Sequence, residues 1–204
     1  MDYTERRSVS LFTPSLRYVQ HSLTLRSEFI RPAYEYTYAG ARTFRFTEAQ
    51  FTTRIAIREA VVFNGYDYLR LSAPYPVVEI RYTQGLKGVM DGEYNYKKLE
   101  AAWTHTLNFF RRGKFTYQLS GGWMDGDLPY SRLYLFHANG APNFLATPLC
   151  FNTMPFEHQF NFTAHHYGIA HLVWQWANPA FPSRRWSPDL TWRASAGWGD
   201  YNQN

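Results

Sequence analysis

Apolar and polar residues alternate with a period of two along most of this chain. In residues 99–110 the odd positions read LAWHLF and the even positions begin EATTN. In residues 114–124 they read FYLGW against TQSG, and in residues 190–198 the two sets read LWAAW and TRSG. Successive side chains of a β-strand point to opposite faces, so the pattern predicts strands with one apolar face and one polar face.

Similar alternation occurs in residues 22–29, 34–38, 44–57, 78–83 and 160–176. The total is about ten strands, separated by stretches that suit turns. Residues 90–93 (MDGE) and 111–114 (RRGK) each supply a glycine that tolerates a positive φ. Since these connections are short and local, we predict an all-β fold, an antiparallel up-and-down meander.

Two features favour a membrane barrel over a soluble sandwich. The polar faces carry Thr, Ser, Gln, Asn and opposite charges such as Glu79 and Arg81, which suit a hydrated lumen, and several segments run for ten or more residues. The apolar faces end in aromatic residues, as at membrane–water interfaces. We therefore predict part of a transmembrane β-barrel in the outer membrane of a Gram-negative bacterium, in contact with its lipid bilayer. The expected lipid-facing or girdle aromatics are Trp103, Tyr117, Trp123, Trp174, Trp176, Trp192 and Trp198.

Composition excludes several other classes of protein. The 204 residues are 45% hydrophobic and 19% aromatic, but the mean hydropathy is −0.45 and no apolar run is long enough for a transmembrane helix. The net charge of +5 is scattered, so we expect no nucleic-acid partner. The single cysteine, Cys150, excludes an internal disulfide framework.

Candidate chemistry is sparse. The sharpest metal-site candidate is a group of histidines, but neighbouring strand positions such as His165 and His166 point to opposite faces, so we expect no metal site. A phosphate-binding glycine loop and a nucleophile elbow are both missing from the sequence. We therefore expect no cofactor and no enzymatic activity. The histidines considered are His158, His165, His166 and His171.

Several collinear segments resemble an outer-membrane barrel family of unknown function, whose members commonly carry an N-terminal carboxypeptidase regulatory-like domain. The likeness is clearest over residues 65–204, and residues 1–64 share only the general pattern of the family, without a matching segment. Where that family has an acidic residue shortly before a tyrosine, this chain has AHHY at 164–167. The matching segments are residues 75–88 (YPVVEIRYTQGLKG), 94–99 (YNYKKL), 126–130 (GDLPY) with Leu133, 151–154 (FNTM), 190–193 (LTWR) and 197–199 (GWG).

The resemblance implies a barrel distantly similar to the assembly and surface-antigen barrels of the outer membrane, and it implies no reaction. It also implies that residues 1–204 are a partial barrel. We expect a fragment that lacks a signal peptide, the regulatory-like domain and a closing strand. The function expected from it is structural or transport-type, with no specific role assigned.

Two stretches and one alternative complete the interpretation. Residues 129–156 and the proline-rich residues 178–188 lack steady alternation, so both are expected to be loops, the first either outside the membrane or tucked into the lumen.

The alternative function is a secreted all-β carbohydrate-binding module that stacks sugars on surface aromatics. Its platform would be Trp174, Trp176, Trp186, Trp192 and Trp198.

Overall fold

The structure is a computed structural model that describes residues 3–12, 15–16, 19–32, 37–63, 68–72, 75–109, 113–135, 137–138, 153–154, 163–176 and 190–200. Its regular elements are strands and one 3-10 turn, Tyr130–Arg132. The strands are β1 (Tyr3–Phe12), β2 (Ser15–Leu16), β3 (Val19–Arg31), β4 (Phe44–Ala56), β5 (Ala60–Phe63), β6 (Tyr68–Ser72), β7 (Val77–Gly85), β8 (Lys97–Phe109), β9 (Gly113–Asp125), β10 (Tyr134–Leu135), β11 (His137–Ala138), β12 (Thr153–Met154), β13 (Thr163–Ala164), β14 (His166–Trp176) and β15 (Leu190–Gly199).

The long strands form one antiparallel sheet in the order β1-β3-β4-β7-β8-β9-β14-β15, with β2 beside β3. Consecutive long strands are neighbours throughout, so the all-β meander expected from the alternation is confirmed. Within the described residues β1 and β15 each pair on one side only, and the sheet is open. Smaller pairs form between β5 and β6, β10 and β13, and β11 and β12.

Most predicted strands coincide with observed ones. Residues 22–29, 44–57, 78–83, 99–110, 114–124 and 190–198 fall on β3, β4, β7, β8, β9 and β15. Residues 163–176 form β13 and β14 with a bend at His165, whereas residues 160–162 and 34–36 lie outside the described part of the chain. Beside the latter, Tyr38 makes only an isolated bridge to Ala41.

The first predicted turn is present, and of the second, residues 111–114, only Gly113 and Lys114 lie within the described part of the chain. At the first, the backbone N–H of Gly92 donates to the carbonyl of Val89, and Met90 and Asp91 carry the positive φ angles of 46° and 64°. At the second, Gly113 has a φ of 107°, and a Cβ there would lie 1.9 Å from the carbonyl oxygen of Gln175. Glycine is therefore required at the second turn both by backbone angle and by space.

The strand registers decide which side chains share a face. Leu99 lies opposite Tyr82 on one side and Trp123 on the other, and Trp123 lies opposite His166. This row defines the apolar face, and the alternate positions define the polar face. On the apolar face the central strands present Phe51, Ile80, Tyr82, Leu99, Trp103, Leu107, Phe109, Phe115, Tyr117, Leu119, Trp123, Leu172, Trp174, Trp176, Trp192 and Trp198.

The strands are staggered across the sheet, with shifts between strand midpoints of one, two, three and zero residues at the four steps from β3 to β9. Leu25, the midpoint of β3, is level with Ala49, Gln84, Lys97 and finally Asp125. Asp125 ends β9, six residues beyond that strand's midpoint at Leu119. Six residues over four strand-to-strand steps is an average shift of one and a half residues per step.

The hydrophobic core lies at one end of the polar face. We call this the core end; it contains the start of β4, the end of β9 and the start of β14. Aromatic rings dominate it, with Phe44 and Phe46 almost fully buried and Tyr94 stacked 5.0 Å from Phe46. The described residues contain no helix of the length and apolarity needed to cross a membrane. The buried core residues are Ile30, Phe44, Phe46, Tyr96, Met124, Leu128, Tyr134, Ala164, Tyr167 and Ile169.

Candidate functional site

The apolar face is exposed. Of the eighteen large hydrophobic residues that are exposed in the described part of the chain, thirteen lie on it, and the other five lie in connections or in the β5–β6 hairpin. Leu119, at the centre of β9, is 50% exposed, and Trp198 is 65% exposed. Contiguous apolar surface of this kind is uncommon on a soluble monomer.

Charged residues are nearly absent from the apolar face and frequent on the polar face. On the seven strands from β3 to β15, the described apolar-face positions carry Asp, Glu, Lys or Arg only at the strand ends of the core end. These four are Arg31, Arg45, Lys97 and Asp125. The polar face of the same strands carries Arg26, Glu28, Glu48, Arg54, Glu79, Arg81, Lys98, Glu100, Lys114 and Arg193.

Aromatic rings pack together at the end of the apolar face opposite the core. The Phe109 ring stacks on Trp174 with centroids 5.5 Å apart, and Phe115 lies 5.6 Å from the same indole. Trp176 meets Trp174 edge-on at 6.5 Å. Rings in contact along a row form a continuous aromatic rim to the apolar surface.

All seven aromatics predicted from the sequence lie on the apolar face. Trp174, Trp176 and Trp192 lie at the end opposite the core, and Trp123 and Trp198 lie near the core end. Trp103 and Tyr117 lie between the two rows. Trp186, the remaining member of the sugar-binding alternative, is outside the described residues.

Among the described residues, the histidines considered as metal ligands do not lie together. His171 is buried on the polar face, with its Nδ1 2.8 Å from the Ser195 hydroxyl, whereas His166 lies on the apolar side of β14. No group of three or more metal-ligating side chains forms among the described residues. His158 lies outside them, and His165 occupies the bend between β13 and β14.

His166 instead closes the end of the β14–β15 pair. Its backbone N–H donates to Asp200, and its Nδ1 lies 2.6 Å from the other carboxylate oxygen. Slight burial alone raises the pKa of Asp200, but these hydrogen bonds outweigh it and hold that pKa below its ordinary value. The contact is therefore a terminal clasp between two strands.

A buried ion cluster occupies the core end of the polar face. The Arg132 guanidinium lies 2.7 Å from Glu28 of β3 and 3.0 Å from Glu48 of β4, and it covers the Phe46 ring at 4.5 Å. The three charged side chains are 12%, 3% and 6% exposed. Such desolvated charges are tolerated only when they are paired and hydrogen-bonded.

Neighbouring groups complete this cluster. The Tyr96 hydroxyl donates a short hydrogen bond to Glu48, and the Lys98 ammonium donates to the Arg132 carbonyl while lying over the rings of Tyr96 and Tyr134. Burial lowers the pKa of Arg132, but Glu48, Tyr96 and Glu28 reverse the effect and raise it. Burial first, and Glu48 second, raise the pKa of Tyr96. Arg132 is therefore charged and Tyr96 neutral at ordinary pH.

The segment that carries Arg132 crosses the polar face; we call residues 128–134 the strap. Leu128 and Pro129 are buried at its start, and the Tyr130–Arg132 turn follows. Arg132 reaches β3 and β4, whereas Tyr134 packs 4.7 Å from Tyr167 of β14 and donates to the Trp123 carbonyl of β9. The strap therefore contacts strands on both sides of the sheet.

The sequence matches a known family over residues 30–176, described as the C-terminal domain of a family of unknown function (DUF5686). The chain belongs to this family. The matched span begins well before residue 65 and ends with β14, so β4 belongs to the matched part and β15 lies beyond it. No curated protein matches the chain. Membership of DUF5686 supplies no activity.

Sequence patterns alone did not identify the strap. Residues 128–134 (LPYSRLY) overlap a segment that resembles the family, but they do not alternate, and Arg132 is separated by 104 residues from Glu28. The available signal was two acidic residues, Glu28 and Glu48, at polar-face positions of neighbouring strands. Their partner became apparent only once the strands were aligned.

Proposed function

We propose that this DUF5686 domain forms a lipid-embedded wall of an outer-membrane β-barrel, with its apolar face toward the acyl chains and its polar face lining a hydrated lumen. The observation that carries the proposal is the inverted polarity of the sheet. Its apolar side chains are exposed, and its buried charges, Glu28, Glu48 and Glu100 among them, are on the other face. A water-soluble sheet places its apolar face against a core.

The stagger of the strands supports the same arrangement. At about 3.4 Å per residue and about 4.8 Å between strands, a shift of one and a half residues per step corresponds to a tilt of about 45°. Transmembrane barrels tilt their strands by about 35–45°. The seven strands from β3 to β15 have 9 to 13 residues, and a tilted strand needs about 9–11 to cross the hydrocarbon.

The role that fits this wall is structural or transport-type, without catalysis. Ion pairs hold several charged polar-face side chains: Arg81 contacts Glu79 and Glu100 of the same face, and Arg54 pairs at 2.6 Å with Glu59 of the β4–β5 connection. In lipid the free edges of β1 and β15 need hydrogen-bonding partners, either each other or further strands, because unpaired backbone groups cost several kcal/mol each.

Two adjacent residues at the middle of β15 provide the test. Ser195 faces the polar side and Ala196 the apolar side, and both are exposed and small. Single cysteines at these positions, in a Cys150→Ser background, are treated with a membrane-impermeant thiol reagent in intact outer membranes. We expect Ser195→Cys to react and Ala196→Cys to be protected, and both to react after denaturation.

Equal labelling of the two cysteines in the membrane would overturn the barrel, because a wall exposed to water on both faces leaves both thiols accessible. The sugar-binding alternative predicts that equality, together with quenching of tryptophan fluorescence by an added glycan. It is less well supported, since sugar recognition needs hydrogen-bonding groups beside the rings. Within the sugar-binding platform, the register neighbours of Trp174 are Phe115 and Trp192.

A further inference from the structure

We infer that the strap is an internal gate, held across the polar face of the wall by the contact of Arg132 with Glu28 and Glu48. This inference rests on the proposed function, since a gate needs a lumen to close. A solute that follows the polar face past the core end has to displace residues 128–134.

The strap bridges strands that lie far apart in the sheet. Four strands separate β3 from β14, so these two strands lie about 24 Å apart along a flat sheet. Arg132 contacts β3 and β4, and Tyr134, two residues later in the chain, contacts β14. The strap therefore passes over the polar face of the strands between β3 and β14.

The attachments of the strap are unequal. On the β9–β14 side Tyr134 is held by ring packing, by one side-chain hydrogen bond and by the pairing of β10 with β13, next to the point where the segment leaves β9 at Asp125. On the far side the Arg132 side chain makes the ion pairs, and Lys98 holds its carbonyl from β8. Because the near side is tethered by the chain itself, loss of the Arg132 contacts releases the far side first.

The charge arrangement also supports a fastening that can open. Arg132 is shared by two carboxylates, those of Glu28 and Glu48, and Glu48 also accepts a hydrogen bond from Tyr96. Removing the arginine takes the positive charge away from two buried acids, which favours admission of water and cations. A hydrophobic contact of the same size would instead re-form after each opening without recruiting water.

The test measures solute flux in proteoliposomes that contain the full chain. Arg132→Ala is expected to increase the flux of a small sugar several-fold, as is the double variant Glu28→Gln with Glu48→Gln. The matched control is Glu79→Gln, which removes a polar-face acid paired to Arg81 and leaves the strap contacts in place. Its flux should equal that of the unmodified chain.

A second measurement follows the strap itself. Lys98 is covered by the strap, whereas its neighbour Lys97 is exposed on the opposite face, so amine labelling read out peptide by peptide compares the two within one molecule. Arg132→Ala should raise the labelling of Lys98 several-fold relative to Lys97. This readout does not need a pore.

The outcomes separate the gate from the barrel. Unchanged Lys98 labelling in Arg132→Ala overturns the role of Arg132 as the fastening, and increased labelling with unchanged flux overturns the gate. Failure of the barrel itself appears elsewhere, as equal reactivity of cysteines at Ser195 and Ala196. A variant that fails to enter membranes is replaced by Arg132→Lys, for which we expect partial opening in both measurements.

Discussion

A single charge at the centre of the apolar face distinguishes a lipid environment from an aqueous one. Leu119 is the midpoint of β9 and is 50% exposed, with Trp103 and Ala170 as register neighbours. In water, arginine at such a half-exposed position changes stability by less than about 0.5 kcal/mol. In a bilayer, arginine at the midplane of a barrel strand costs about 2–4 kcal/mol. Leu119→Arg should therefore lose the stability expected in a bilayer, about 2–4 kcal/mol.

Leu99→Arg is the matched control. It makes the same chemical change at a similarly exposed position, 44%, but near the core end of β8, where the bilayer cost falls to about 0–1 kcal/mol. The assay is reversible denaturant unfolding in phospholipid vesicles, followed by tryptophan fluorescence. If the two variants lose equal stability, or if Leu119→Arg loses less than about 0.5 kcal/mol, the assignment of this face to lipid is wrong.

Two further predictions concern single contacts. Gly113→Ala should destabilise the protein by about 1–3 kcal/mol in the same unfolding assay, because the φ of 107° and the close approach to Gln175 exclude a Cβ. Gly168→Ala should be neutral, because open space surrounds Gly168. The depressed pKa of Asp200 stabilises the fold above the ordinary carboxyl pKa of about 3.9, and that contribution is lost as the pH falls through the lowered value. Asp200→Asn should therefore remove part of the acid-induced decrease in melting temperature below about pH 4, and an unchanged acid profile would show that the clasp to His166 contributes nothing.

The polar face differs from an ordinary protein core in what holds it together. Its core-end cluster combines aromatic packing, as between Phe46 and Tyr96, with the shared arginine and the buried tyrosine hydroxyls. Burial, followed by Glu100, raises the pKa of Tyr134, so its hydroxyl remains a donor at any physiological pH. Because each charge there depends on a partner from another element, the position of the strap is defined as sharply as that of the strands.

The sequence by itself determined the fold class and the identity of the two faces. Period-two alternation is local, since it follows from successive side chains pointing to opposite sides, and it located β3, β4, β7, β8, β9, β14 and β15 without knowledge of their pairing.

Only the tertiary structure decided which face is exposed, how far the strands are staggered and what crosses the polar side. Alternation is the same whether the apolar face meets a core or a solvent of acyl chains, and register depends on partners tens of residues away. Arg132 and Glu28 are 104 positions apart. Arg132 lies on the strap, which has no sequence periodicity, and Glu28 lies on a strand whose polar side chains face either water or a partner residue. Their contact depends on the order and register of the strands, which no local pattern encodes.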